Sequence, residues 1–122
     1  MLELSTLPKT WIFDVDGTIV KHNGYLIDGY DTLLDGVKEF FANLSDEDFV
    51  IFLTARKDNE LTNLQTFLCK NGIRYDRILT NVPVGERILI NDKKPSGLST
   101  AFSINKKRDE ALNIVFTINE DL

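Results

Sequence analysis

The sequence predicts an α/β fold, a parallel sheet with helices on both faces. Three observations carry this. Apolar, β-rich runs alternate with segments of helical period. The runs are near-continuously apolar, as in strands buried on both faces. Three of them end in polar, chemically capable residues: Asp14-Val15-Asp16, Thr54 and Asn91-Asp92. In parallel sheets ligands bind at the carboxyl ends of the strands, so this coincidence also locates a site.

Residues 10–15 read as a buried strand delivering Asp14 to its end. Residues 21–31, KHNGYLIDGYD, hold two glycines among alternating polar residues. They read as a loop with room for a small hairpin. Residues 35–44 repeat apolar side chains at Val37, Phe40, Phe41 and Leu44, the spacing of one helix face, with Asp35 placed to cap it. Residues 48–54, DFVIFLT, are a second buried strand. Residues 58–70 put Leu61, Leu64, Phe67 and Leu68 on one helical face, and Asn71-Gly72 ends that helix. Residues 75–80 read as a short third strand, residues 87–91 (RILIN) as a further buried strand, and residues 101–104 as an edge strand. The tail NIVFTINEDL has β composition but no evident place in the sheet.

The chain has 122 residues, 43% hydrophobic and 27% charged, which suits one domain over 1–122 with a single core. Its net charge of -5 disfavours nucleic acid and anionic membranes as partners, while leaving a small phosphorylated substrate open. One cysteine, Cys69, excludes an intrachain disulfide and fits a reducing compartment. No apolar run is long enough to span a bilayer, and Glu3 interrupts what a signal peptide would keep apolar. The expectation is a cytoplasmic protein with no membrane partner. Oligomeric state is left open between monomer and homo-oligomer.

Asp14 and Asp16, two apart in extended chain, point to one side. Two such carboxylates do not stay ionised together cheaply without a cation or a shared proton. Mg²⁺ satisfies them, since it prefers oxygen ligands, and Asp92 from another strand end would add a third. Gly17 allows a sharp turn and Thr18 can bond across it. A calcium loop of the D-x-D-x-[DN]-G type is excluded: its fifth, sixth and twelfth positions would be Thr18, Ile19 and Tyr25.

FDVDGT, FLTAR and ILINDKKPSG, in this order over residues 10–97, resemble the first, second and fourth motifs of the haloacid dehalogenase-like (HAD) phosphohydrolase superfamily. Within it, the chain resembles the small, nearly capless phosphatases found with bacterial capsule and surface-polysaccharide genes. The resemblance implies a three-layer Rossmann-like (HAD-like) sheet. It also implies a Mg²⁺-dependent phosphomonoester hydrolase working through an aspartyl-phosphate. Asp14 corresponds to the nucleophile and Asp16 to the general acid/base. Thr54, with backbone N–H groups near Gly17 and Ala55, corresponds to the donors to the phosphoryl group, and Asp14, Asp16 and Asp92 to the metal ligands.

The family lysine that contacts the phosphoryl group has no counterpart between Asn71 and Ile90, where the only long cations are Arg74, Arg77 and Arg87. Lys93 or Lys94 is the expected substitute, Lys93 being nearer Asp92. Arg56 and His22 are further candidates for touching substrate. Residues 19–34 are too few for a cap domain, so the site should be open. The expected substrate is a small metabolite: a sugar, polyol or amino-alcohol phosphate for surface-polysaccharide biosynthesis. Polynucleotide or phosphoprotein phosphatase activity is the alternative enzyme class. A receiver-like phosphoacceptor is the non-enzyme alternative, opposed by the lack of an Asp at the tip of the second strand.

Overall fold

The computed structural model describes all residues, Met1–Leu122. Five strands, three α-helices and a 3-10 turn follow one another as β1 (Leu2–Leu4), β2 (Thr10–Asp14), α1 (Gly24–Ile27), α2 (Val37–Ala42), β3 (Phe49–Leu53), the turn Asp58–Glu60, α3 (Leu61–Lys70), β4 (Arg77–Leu79) and β5 (Phe116–Ile118). The strands form two parallel sheets, β2-β3-β4 and β1-β5. The α/β class with parallel pairing is therefore as the sequence predicts.

The larger sheet is held in register by its side chains. Trp11 lies opposite Val50, Phe13 opposite Phe52, and Phe52 opposite Ile78. These residues share one face, and that face is the core. Phe13 packs on Phe41 of α2 at 4.9 Å between ring centroids, and Phe41 on Phe52 at 5.7 Å. Leu64 and Leu68, four apart on α3, complete the same cluster with Val15, Ile19, Val20 and Val37. Carboxylates tie down the amino ends of the strands. Asp48 accepts from the Lys9 N–H and the Trp11 indole, and Asp76 accepts from the Val50 N–H.

Several sequence expectations are corrected. Helices do not cover both faces. Ile12 and Leu79, on the far face, are 49% and 50% exposed. Residues 87–91 do not form a strand: Ile88 and Ile90 are 82% and 90% exposed. Strand composition gives a run the tendency to extend, but a strand exists only where a neighbour's backbone pairs with it. Here side chains hold the run instead. Arg87 reaches Asp14, and Asn91 donates to the Thr100 carbonyl and hydroxyl. Residues 101–104 likewise stay unpaired.

Residues 21–31 make the one-turn helix α1 rather than a hairpin, because the Leu26 and Ile27 amides fold back onto the Asn23 carbonyl. The only antiparallel trace is a single bridge between Val20 and Leu33. The N-cap of α2 is Gly36 and not Asp35, and no side chain caps the helix. The tail finds its place as β5, beside a strand β1 that the sequence reading lacked, with Leu2 opposite Phe116. No helix is long and apolar enough to cross a membrane.

Candidate active site

β2 and β3 run parallel with Asp14 opposite Leu53, so Thr54 emerges beside the Asp14-Val15-Asp16 turn. Burial of Val15 and Ile19 anchors that turn from below, and its backbone closes on itself. The Ile19 N–H donates to the Val15 carbonyl at 3.0 Å and the Gly17 N–H to the Val20 carbonyl at 2.8 Å. Gly17 sits at φ +83°, where a side chain is strained, and a Cβ there would lie 3.1 Å from Arg108 Cγ. The glycine thus allows the segment around Arg108 to lie against the turn.

Asp14 is half-exposed. The Thr18 hydroxyl donates to its Oδ2 at 3.2 Å, and Arg87 Nη1 to its Oδ1 at 2.9 Å. Asp16 has another partner. Arg56 Nε and Nη2 reach its two oxygens at 3.1 and 2.8 Å, while Nη1 and Nη2 reach both oxygens of Asp31 at 2.9 and 2.7 Å. The guanidinium also lies over the Tyr25 ring, 3.9 Å from its centroid. Arg56 is only 5% exposed. Burial alone would push its guanidinium down in pKa, but the hydrogen bonds to Asp31 and Asp16 outweigh burial and raise it. Burial raises the Tyr25 phenol, against the opposing charge of Arg56.

Thr54 is 1% exposed. Its hydroxyl accepts from the Arg56 N–H at 3.1 Å, and its main chain bridges Leu79 and Val82. So Thr54 supports the loop carrying Ala55 and Arg56 rather than opening toward solvent. His22 is half-buried. Its N–H donates to Asp109 Oδ1 at 2.7 Å, and its Nδ1 is buried with no partner. Lys106 Nζ donates to the Gly17 carbonyl at 3.2 Å, and the Asp109 N–H to the same carbonyl at 2.9 Å.

The sequence-derived candidates thus divide. Asp14, Asp16, Gly17, Thr54, Ala55, Arg56 and His22 come together at the ends of β2 and β3. Asp92, Lys93 and Lys94 lie on the exposed chain beyond residue 86, without side-chain contact to Asp14 or Asp16. Accordingly no group of three acidic, His or Cys side chains is assembled that could hold a metal ion. Asp14 and Asp16 supply two carboxylates, each paired with an arginine; two carboxylates, with waters and a substrate phosphate, are a usual donor set for Mg²⁺.

Sequence reasoning left four contributors unassigned: Asp31, Tyr25, Arg87 and Lys106. Asp31 carried a signal, as a second acid closing the loop after the first motif. Lys106 carried none, being 89 residues from its partner. The chain matches no family model, no characterised protein and no solved structure.

Proposed function

We propose that this protein is a phosphomonoester hydrolase of the HAD type acting on a small phosphorylated metabolite, with Asp14 as nucleophile. One observation supports the reading most. Asp14 and Asp16 share a tight glycine-containing turn at the carboxyl end of a parallel strand, and Thr54 ends the neighbouring strand beside it. In the proposed reaction an Asp14 oxygen attacks phosphorus as the ester P–O bond breaks. Asp16, protonated and turned from the Arg56 fork, gives its proton to the departing alkoxide. Asp16 then takes a proton from water as that water attacks the aspartyl-phosphate, releasing inorganic phosphate and restoring Asp14. The half-exposed Asp14 and the absence of any domain inserted between β2 and α2 suit an open site for a small substrate.

The same reading includes Mg²⁺ as cofactor, a cytoplasmic location, and kinship of the parallel α/β fold with the HAD-like sheet. Surface-polysaccharide precursors remain the substrate class that the sequence resemblance suggests. The test is hydrolysis of a panel of sugar, polyol and amino-alcohol phosphates, with Asp14→Asn beside wild type and with EDTA followed by Mg²⁺ add-back. Wild type should turn over at least one substrate. Asp14→Asn should lose essentially all activity, and EDTA should abolish activity that Mg²⁺ restores. An inert wild type, or a fully active Asp14→Asn, refutes the proposal.

A further inference from the structure

Resting on that reading, we infer that Arg108 is a specificity residue, and that the substrate carries a carboxylate in addition to its phosphoryl group. The basis is a strap, residues 106–112, laid across the loop that follows β2. Its amino end is fixed on Gly17, whose carbonyl accepts from Lys106 Nζ at 3.2 Å and from the Asp109 N–H at 2.9 Å. Its carboxyl end is fixed by Leu112, which is buried in the core and donates its N–H to the Asp35 carbonyl. Asp109 adopts φ +63°, a left-handed conformation that few residues other than glycine take. In that conformation its N–H meets Gly17 while its carboxylate accepts from the His22 N–H.

The strap brings three successive cations to the turn, in a chain whose net charge is -5. They differ in what holds them. Lys106 donates to the Gly17 and Lys107 carbonyls, and Lys107 faces Glu110 at 3.7 Å. Arg108 lays its stem against Gly17, where the missing side chain leaves room, and its exposed guanidinium has neither a hydrogen bond nor an ion pair. The carboxylates nearby are taken: Asp14 by Arg87, Asp16 and Asp31 by Arg56, and Asp109 by the His22 N–H. A backbone pinned at several points fixes where the Arg108 stem leaves the chain, so less ordering is needed when a ligand binds. A guanidinium fork binds one carboxylate through two parallel bonds. A second phosphoryl group would call for further cations, and Lys106 and Lys107 are committed elsewhere, so a carboxylate is the better match. Gly17 closes the turn that begins at Asp14. A substrate with its phosphorus at Asp14 therefore needs only a short chain to bring a carboxylate to the fork. This narrows the small-metabolite class to phosphomonoesters that are also carboxylic acids.

The experiment compares substrates matched except for a carboxylate in place of a hydroxymethyl group. The pairs are phosphogluconate with sorbitol phosphate and phosphoglycerate with glycerol phosphate, each phosphorylated at the carbon farthest from that group. Values of kcat/KM are measured for wild type, Arg108→Ala, Arg108→Lys and Lys107→Ala, with calorimetric binding of phosphogluconate and sorbitol phosphate alongside. Wild type should favour the acid of each pair on the order of 10-fold or more. Arg108→Ala should bring the acids down to the level of their polyol partners. Arg108→Lys should keep part of the preference, and Lys107→Ala should match wild type. Far-UV circular dichroism should show every variant folded.

If wild type is active but does not favour the acids, or if Arg108→Ala keeps the preference, the assignment is overturned while the phosphatase reading stands. A preference for fructose bisphosphate over fructose monophosphate that the acids do not share also overturns it. If wild type hydrolyses nothing yet binds phosphogluconate above sorbitol phosphate through Arg108, the phosphatase reading fails and the carboxylate subsite stands. If wild type neither turns over nor discriminates in binding, both fail.

Discussion

Arg56 shows how one residue can serve a site without facing its ligand. Its guanidinium joins Asp16, Asp31 and the Tyr25 ring, all half-buried or buried. Removing it leaves two carboxylates facing each other away from water. Arg56→Ala should therefore cost about 3–5 kcal/mol of stability, read by chemical denaturation. Arg56→Lys should recover little of it, because an ammonium cannot bond both carboxylates with paired donors. Tyr25 gives a pH signature at the same place. Its phenol is raised above the ordinary value of 10.0, chiefly by burial. The folded state thus holds this proton more tightly than the unfolded state. The corresponding stability is fully present below pH 10.0 and is lost as pH rises through the higher folded value. Melting temperatures measured from neutral to strongly alkaline pH should fall less for Tyr25→Phe than for wild type above that point.

At the scale of elements, β2, β3, β4 and α3 were legible because each carries its own pattern. Short apolar runs of β-formers mark the strands, and apolar side chains at helical spacing mark α3. The start of α2 was not legible. Asp35 is the better cap by composition, yet the chain uses Gly36 at φ +82°. The reason lies far away in sequence. The Leu112 N–H donates to the Asp35 carbonyl at 2.8 Å, and a Cβ on Gly36 would sit 2.3 Å from the Leu112 carbonyl oxygen. Only a residue without a side chain lets the two backbones meet. Gly36→Ala should thus destabilise by about 2 kcal/mol or more, from a strained φ plus a backbone collision, with the loss visible in thermal melts. A variant as stable as wild type would show that this junction yields. Phe52, fully buried between Phe13, Phe41 and Tyr75, should cost about 3–5 kcal/mol as Phe52→Ala.

Across the whole molecule, the two ends of the chain meet. β5 pairs with β1, and Phe116 packs on Trp11 at 5.4 Å between centroids, joining the small sheet to the large one. Trp11 is the only tryptophan, so emission reports on this one neighbourhood, where the indole also packs on Phe40 and donates to Asp48. Phe116→Ala should cost about 1 kcal/mol through the lost aromatic pair and shift the fluorescence maximum to longer wavelength as water reaches the indole. An unchanged emission spectrum would count against the packing.

What the sequence by itself determined was local. It set the strand runs, the helical faces, and the residue types at the ends of β2 and β3, because these follow from side-chain periodicity within ten residues or so. It therefore located Asp14, Asp16 and Thr54 at adjoining strand ends. Only the tertiary structure decided which charges meet. It gave Asp16 to Arg56 and Asp31, Asp14 to Arg87, and the Gly17 carbonyl to Lys106, and it left Lys93 and Lys94 exposed. Pairings across 25, 40, 73 and 89 residues leave no periodic trace, since they depend on backbone paths rather than on neighbouring side chains. The same reason governs residues 87–91: their composition suits a strand, but pairing with another backbone decides whether one forms.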